Sequence, residues 1–292
     1  MSKYALFVGC VIANRFPYIE SAARKVFEKM GVELVDVPEF ACCPDPVGIQ
    51  NVKQSTWIAT AAYNLCLAEE KGLDVLTFCN GCFESLKTAY VELGHDKKKK
   101  DEVNQILSKV GKEYKGTSKV KYFLDYIYND VGPEKIAEMV VKPLDSLKIA
   151  TFYGCHYGRP HYILEFDDPL RPTSMDKVVE ALGAQSVEYL KKYQCCGSAI
   201  SGVDEEGQLN LLESKLKQIE RVGADCLTVV CPACYMQFDG NQRKINTTFN
   251  TNYNIPVLYL AELIAIAFGI DENSLGLKFH TIKTKDLQAK IA

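Results

Sequence analysis

The amino-acid sequence predicts an α/β protein of two pseudo-symmetric, duplicated halves. Each half reads as a parallel sheet of βαβ units with its cysteines gathered at the carboxyl ends of the strands. Three observations predict it. Ten of the 12 cysteines fall into two sets with one grammar: a lone Cys after Gly, an adjacent pair, then Cys-x-x-Cys. β-rich runs ending in Gly-Cys or in Cys-x-x-Cys recur at matching places in both sets. Helical patterns closed by glycine lie between those runs.

The first set is Cys10, Cys42-Cys43 and Cys79-x-x-Cys82, with gaps of 31 and 35 residues. The second is Cys155, Cys195-Cys196 and Cys231-x-x-Cys234, with gaps of 39 and 34. Such an internal repeat divides the chain into 1–146 and 147–292. Each half opens on a strand, Lys3 to Gly9 before Cys10 and Lys148 to Gly154 before Cys155. A helix follows, closed by Gly31 in one half and Gly183 in the other, and a short extended segment comes next. The adjacent pair then occupies a loop, where Pro44 and Gly197 supply the turn that aims neighbouring sulfurs at one place. A further helix leads to the strand of Gly72 to Cys79, matched by Gly223 to Cys231, and each Cys-x-x-Cys opens a closing helix.

Residues 95–146 read as a charged, mostly helical insert within the first half. Its run Lys97 to Lys100 is either a docking patch or the solvated start of a helix. The apolar stretch Pro256 to Ile270 reads as a helix packed internally or against a partner. The polar tail after Gly269 either docks on a partner or frays.

Composition narrows the function classes. At 292 residues and 47% hydrophobic content, the chain holds one or two domains with a real core. The net charge of -3 argues against a basic nucleic-acid binder. The longest apolar run, Pro256 to Ile270, has 15 residues and carries Glu262, too short and too charged for a membrane span. The opening residues run straight into a strand and do not read as a signal peptide, so the expected compartment is cytoplasmic. In that reducing setting, cysteines are more often metal ligands than disulfides.

Five matched thiols per half constrain what is held. A redox dithiol accounts for Cys-x-x-Cys alone. A structural zinc site closes with four ligands and leaves one thiol over. An iron–sulfur cluster also commonly takes four, but it accommodates five if one thiolate bridges two irons or the cluster departs from a cube. Cys66, in a helical run, and Cys226, on the strand before Cys231, fall outside the grammar and read as core residues.

On this grammar the chain resembles the B-subunit family of heterodisulfide reductase from methanogenic archaea, which carries tandem cysteine-rich CCG domains. The first copy reads Cys42-Cys43-Pro44, and only the second reads Cys195-Cys196-Gly197. The resemblance implies two noncubane [4Fe-4S] clusters, one on Cys10, Cys42, Cys43, Cys79 and Cys82, the other on Cys155, Cys195, Cys196, Cys231 and Cys234. It implies reduction of the mixed disulfide of coenzyme M and coenzyme B. The duplication adds an expectation of its own: a nearly symmetric S–S bond would lie between the two clusters. The sequence has no ferredoxin-type cysteine run and no flavin-binding glycine fingerprint. The implied partners are accordingly a ferredoxin-like iron–sulfur subunit, a flavin-containing subunit, and an upstream hydrogenase or formate dehydrogenase.

Asymmetry between the halves supplies the remaining candidates. His156, directly after Cys155, is the candidate proton donor, with a structural histidine beside the cluster as the other reading. Arg15 and Arg159 follow their cysteines closely and are the candidate binders of the substrate's sulfonate or phosphate; a helix-start salt bridge is the plainer role. Lys191 and Lys192 are weaker candidates and read as a solvated loop. The alternative class is a CCG-type electron-transfer subunit of a lactate, glycolate or glycerol-phosphate oxidase or of a thiol:fumarate reductase. A protein with two structural zinc sites is a third.

Overall fold

The computed structural model describes residues 2–291. Among the described residues, eight strands form two four-stranded sheets, and every pairing is parallel. The first sheet holds β1 (Lys3–Phe7), β2 (Glu33–Val35), β3 (Asp74–Thr77) and β4 (Val120–Tyr122) in the order β2-β1-β3-β4. The second holds β5 (Lys148–Phe152), β6 (Gln185–Val187), β7 (Cys226–Val229) and β8 (Val257–Tyr259) in the order β6-β5-β7-β8. The two sheets thus repeat one topology, as the cysteine grammar implies.

That strand order positions the site. From β1 the chain crosses to β2 on one side, then returns to β3 on the other, so the connections diverge between β1 and β3. Open α/β sheets form their crevice at this switch point, beyond the carboxyl ends. Cys10 follows β1, the Cys42-Cys43 pair follows β2 and Cys79 follows β3. The second half repeats this with Cys155 after β5, Cys195-Cys196 after β6 and Cys231 after β7.

Two strands depart from the sequence reading. The insert 95–146 is mostly helical, but it also contains β4, which completes the first sheet. The stretch Pro256 to Ile270 starts as β8 before its helix, Leu260–Ala267. Each strand has only three residues, too few for alternation to show. Every residue of Leu260–Ala267 is buried, and the helix packs on Pro17–Lys29 of the first half. Apart from Glu262, which is paired with Tyr259 N and His280, the helix is apolar all round and belongs in such an interior place.

The tail is also part of the core. Leu275, Leu277, Ile282, Leu287 and Ile291 are buried, and His280 is enclosed between Val257 O at 3.0 Å and Glu262 at 2.8 Å. The lysine run opens the helix Lys97–Leu107 with Asp96 as its cap, and Lys97 pairs with Asp101, as a solvated helix start would. Among the described residues no helix is long and apolar enough to cross a membrane.

Candidate metal centre

One cavity of about 350 Å³ receives all ten repeat cysteines, from both halves. Cys43, Cys82, Cys196, Cys231 and Cys234 are buried, Cys79, Cys155 and Cys195 half-buried, and Cys10 and Cys42 exposed. Each Cys-x-x-Cys opens a helix, Asn80–His95 or Pro232–Gly240, with its first cysteine as the N-cap.

The sulfurs are neighbours along the cavity. The Cys234 sulfur lies 3.5 Å from that of Cys196. Neighbouring thiols set their acidities apart. Cys42, with Cys82, lowers Cys43 to about 4, while Cys42 is driven upward by Cys43. Cys195 is lowered by Cys155 and Cys196, aided by the Gly197 N–H at 3.3 Å from its sulfur. Cys79 is lowered, chiefly by Cys231 of the other half. Cys82, Cys155, Cys196, Cys231 and Cys234 are raised, with burial among the causes of each.

Room for these sulfurs is built into the backbone. Gly9, at φ 76 and ψ 163, occupies a conformation open essentially to glycine alone, and an added Cβ would lie 2.8 Å from the Cys82 sulfur. A Cβ on Gly154 would lie 3.2 Å from the Cys234 sulfur and 2.8 Å from Asn80 Nδ2. The glycine before each lone cysteine is therefore a space-making residue. The first adjacent pair is anchored as well. Asn64 accepts from Ala41 N at 2.8 Å and donates to Cys42 O at 3.1 Å, while Trp57 Nε1 and Ser85 Oγ donate to Pro44 O.

The donor set fits an iron–sulfur group. Ten thiols, of which Cys43, Cys79 and Cys195 are held low, surround a shared space and do not converge on one ion-sized point. Among the described residues, no group of three or more His, Cys, Asp or Glu side chains is arranged to hold a metal ion. Cys66 and Cys226 lie outside the cavity, buried in a helix and in β7, where desolvation pushes both thiols up.

Of the other candidates, His156 lines the cavity and the two arginines do not. His156 Nδ1 bonds buried Glu84, on the first half's helix. Burial opposes the imidazolium, but Glu84 outweighs it and the pKa is raised. Arg15 is exposed and donates to Met236 Sδ at 3.6 Å. Five residues beyond Cys10 on one helix, it faces a different side and lines a separate cavity with Tyr18 and Lys278. Arg159 is exposed and donates to Tyr193 O at 3.0 Å. Lys192 corrects the solvated-loop reading: it is buried, paired with Asp176 and Glu188 at 2.8 Å each.

The sequence reading missed a cross-brace behind the cysteines. Tyr122, ending β4, contacts Val230 O at 2.8 Å and the Asn80 side-chain oxygen. Tyr259, ending β8, contacts Val230 O at 2.6 Å and Phe78 O. Asn80 Nδ2 donates to Tyr153 O at 2.8 Å. The Phe78 and Val230 carbonyls immediately precede Cys79 and Cys231, so each half's last strand steadies the other's motif. The signal was present: Val120-Lys-Tyr122 and Val257-Leu-Tyr259 repeat one pattern.

Comparison with known proteins agrees with this geometry. The cysteine-rich CCG domain pattern matches residues 4–87 and again 149–239. The B subunit of the ferredoxin/F(420)H(2)-dependent CoB-CoM heterodisulfide reductase of Methanosarcina acetivorans is 39% identical over 100% of this chain and 97% of its own. The chain belongs to the B-subunit family of heterodisulfide reductases, built on CCG domains. The 8-methylmenaquinol:fumarate reductase membrane anchor subunit of Wolinella succinogenes is 33% identical over 98% of this chain and 99% of its own. A hypothetical protein from Helicobacter pylori, solved by crystallography, shares the fold with a TM-score of 0.80 over 97% of this chain, at 20% identity. This chain spans about half, 52%, of that one. The chain is thus an oxidoreductase subunit of the iron–sulfur electron-transfer class.

Proposed function

We propose that the chain is the catalytic subunit of a heterodisulfide reductase, reducing the mixed disulfide of coenzyme M and coenzyme B to two thiols. The observation that carries this reading is the single cavity onto which both cysteine sets open. A disulfide has two sulfurs leaving one bond in opposite directions, and a site built twice about that bond can serve both. Cys10, Cys42, Cys43, Cys79 and Cys82 would hold one noncubane [4Fe-4S] cluster, and Cys155, Cys195, Cys196, Cys231 and Cys234 the other. When bound, such clusters supply single electrons and Lewis-acidic iron for sulfur.

The chain's own residues supply the remainder. Two electrons and two protons convert the disulfide to two thiols. His156, on the cavity wall and held at Nδ1 by Glu84, is the source of one proton for a departing sulfur. Val8, Val11, Pro46, Val47, Pro232 and Ala233 give the cavity apolar walls that limit water around the reacting sulfurs. Partner subunits would deliver the electrons: a ferredoxin-like iron–sulfur subunit and a flavin-containing one.

The full-length likeness to the Wolinella succinogenes subunit favours a second reading, an electron-transfer subunit for fumarate reduction. Anaerobic assay of the iron-loaded chain with reduced viologen and the mixed disulfide separates the two. The first reading expects dye oxidation that requires the disulfide, and an EPR signal after oxidation that differs with the thiol added. An iron-loaded chain that does neither overturns the first reading and supports the second.

A further inference from the structure

Lys215 lies on the helix Glu205–Arg221, fully buried, with a single hydrogen bond from Nζ to Leu211 O at 3.0 Å. Among the described residues it forms no ion pair, whereas the other buried lysine, Lys192, has two carboxylates. A buried ammonium without a counter-ion is costly, so a fold retains one where an anion meets it. The packing of the helix points to that anion. Gly197, directly after Cys195-Cys196, rests against Gln208 and Leu211, and a Cβ there would lie 3.4 Å from each. Gln208, Leu211 and Lys215 follow at helical steps along one face, which places Lys215 beneath the loop of the cysteine pair. Burial pushes the Lys215 pKa down and Lys191 adds to this, while the sulfurs of Cys196, Cys195 and Cys234 favour its charge, so it is these sulfurs that offset the cost of the buried ammonium.

Among the described residues, the first half has no buried lysine. Its equivalent helix, Gln54–Glu70, also has 17 residues, and end-to-end matching sets Asn64 opposite Lys215. Asn64 is likewise fully buried and likewise bonds the carbonyl four residues back, Thr60 O at 3.2 Å. It is neutral and spends its remaining hydrogen bonds on the Cys42 loop.

We propose that Lys215 is the buried counter-charge of the second cysteine set and makes the duplicated halves electrically unequal. On the two-cluster reading above, the cluster of the second set accepts an added electron more readily than that of the first, because a nearby cation stabilises added negative charge.

The test is a dithionite titration of the iron-loaded full chain followed by EPR, comparing wild type with Lys215→Met and Lys215→Arg. Wild type is expected to reduce in two separated steps. Lys215→Met makes one step at least tenfold harder, about 59 mV for one electron, and leaves the other in place. Lys215→Arg, which keeps the charge, retains the wild-type steps. If Lys215→Met does not fold, Lys215→Gln, which keeps a polar group for the Leu211 carbonyl, is read the same way. Full iron loading with both steps within twofold of wild type overturns the proposal. So does Lys215→Arg shifting as far as Lys215→Met, which would leave only a packing role. A wild-type chain that binds no iron sinks the two-cluster reading and this inference together, whereas about eight irons with unmoved steps sinks the lysine's role alone.

Discussion

Replacing Gly9 with alanine tests whether the backbone before a lone cysteine makes room for the sulfurs. At φ 76 and ψ 163 a non-glycine residue carries strain of about 1–3 kcal/mol. The new Cβ would also stand 2.8 Å from the Cys82 sulfur, closer than real Cβ contacts come, so Cys82 or the strand end must move. Cys82 is buried with Cys43 and Cys79 beside it, which leaves it little freedom to give way. With about 2 kcal/mol lost, a chain of this size should melt roughly 4–8 °C lower. Gly94→Ala is the control: Gly94 sits in the helix Asn80–His95, nothing lies within 4 Å of its Cβ position, and alanine favours helix by about 1 kcal/mol. The assays are thermal unfolding and iron content after anaerobic loading. Gly9→Ala should lose half its iron while Gly94→Ala loses none. A Gly9→Ala chain with full iron and an unchanged melting temperature would refute the reasoning.

Three further outcomes follow from the packing. Tyr122→Phe leaves the buried Asn80 oxygen without a partner and should cost about 1–3 kcal/mol in urea unfolding, with Tyr259→Phe costing a similar amount; no loss in either would remove the cross-brace. Cys226→Ala should retain all iron at a cost of about 1 kcal/mol, whereas Cys231→Ala should lose half the iron; equal iron loss in both would contradict the division into core and ligand thiols. His280 has a raised pKa: burial opposes the charge, but Glu262, Asp239 and the Val257 carbonyl outweigh it. Its contribution to stability is therefore full below about pH 6.5 and lost as pH rises through the folded-state value, and His280→Gln should flatten that decline in a melting series. A decline unchanged in the variant would assign it elsewhere.

What was legible in the sequence was whatever the duplication wrote twice. The strands before Cys10 and Cys155, the loops at Cys42-Cys43 and Cys195-Cys196 and the helices opened by Cys-x-x-Cys all appeared in matched positions. The edge strands β4 and β8 were not legible, because three residues such as Val120-Lys-Tyr122 carry too little alternation to stand out from a charged insert. Sequence proximity misplaced the arginines. Arg15 is five residues from Cys10 but turned to another face of its helix, and Arg159 is spent on the Tyr193 carbonyl. Lys192 reads as a loop lysine until the fold brings Asp176 to it, and the contact of Cys79 with Cys231 depends on packing between halves that no local pattern encodes.

The most direct test of the central claim is the iron and acid-labile sulfide content of the anaerobically loaded chain, beside Cys43→Ala and Cys196→Ala. Two five-cysteine sets predict about eight irons and eight sulfides in wild type, and about four of each in either variant. About four irons in wild type, or zinc in place of iron, would contradict it.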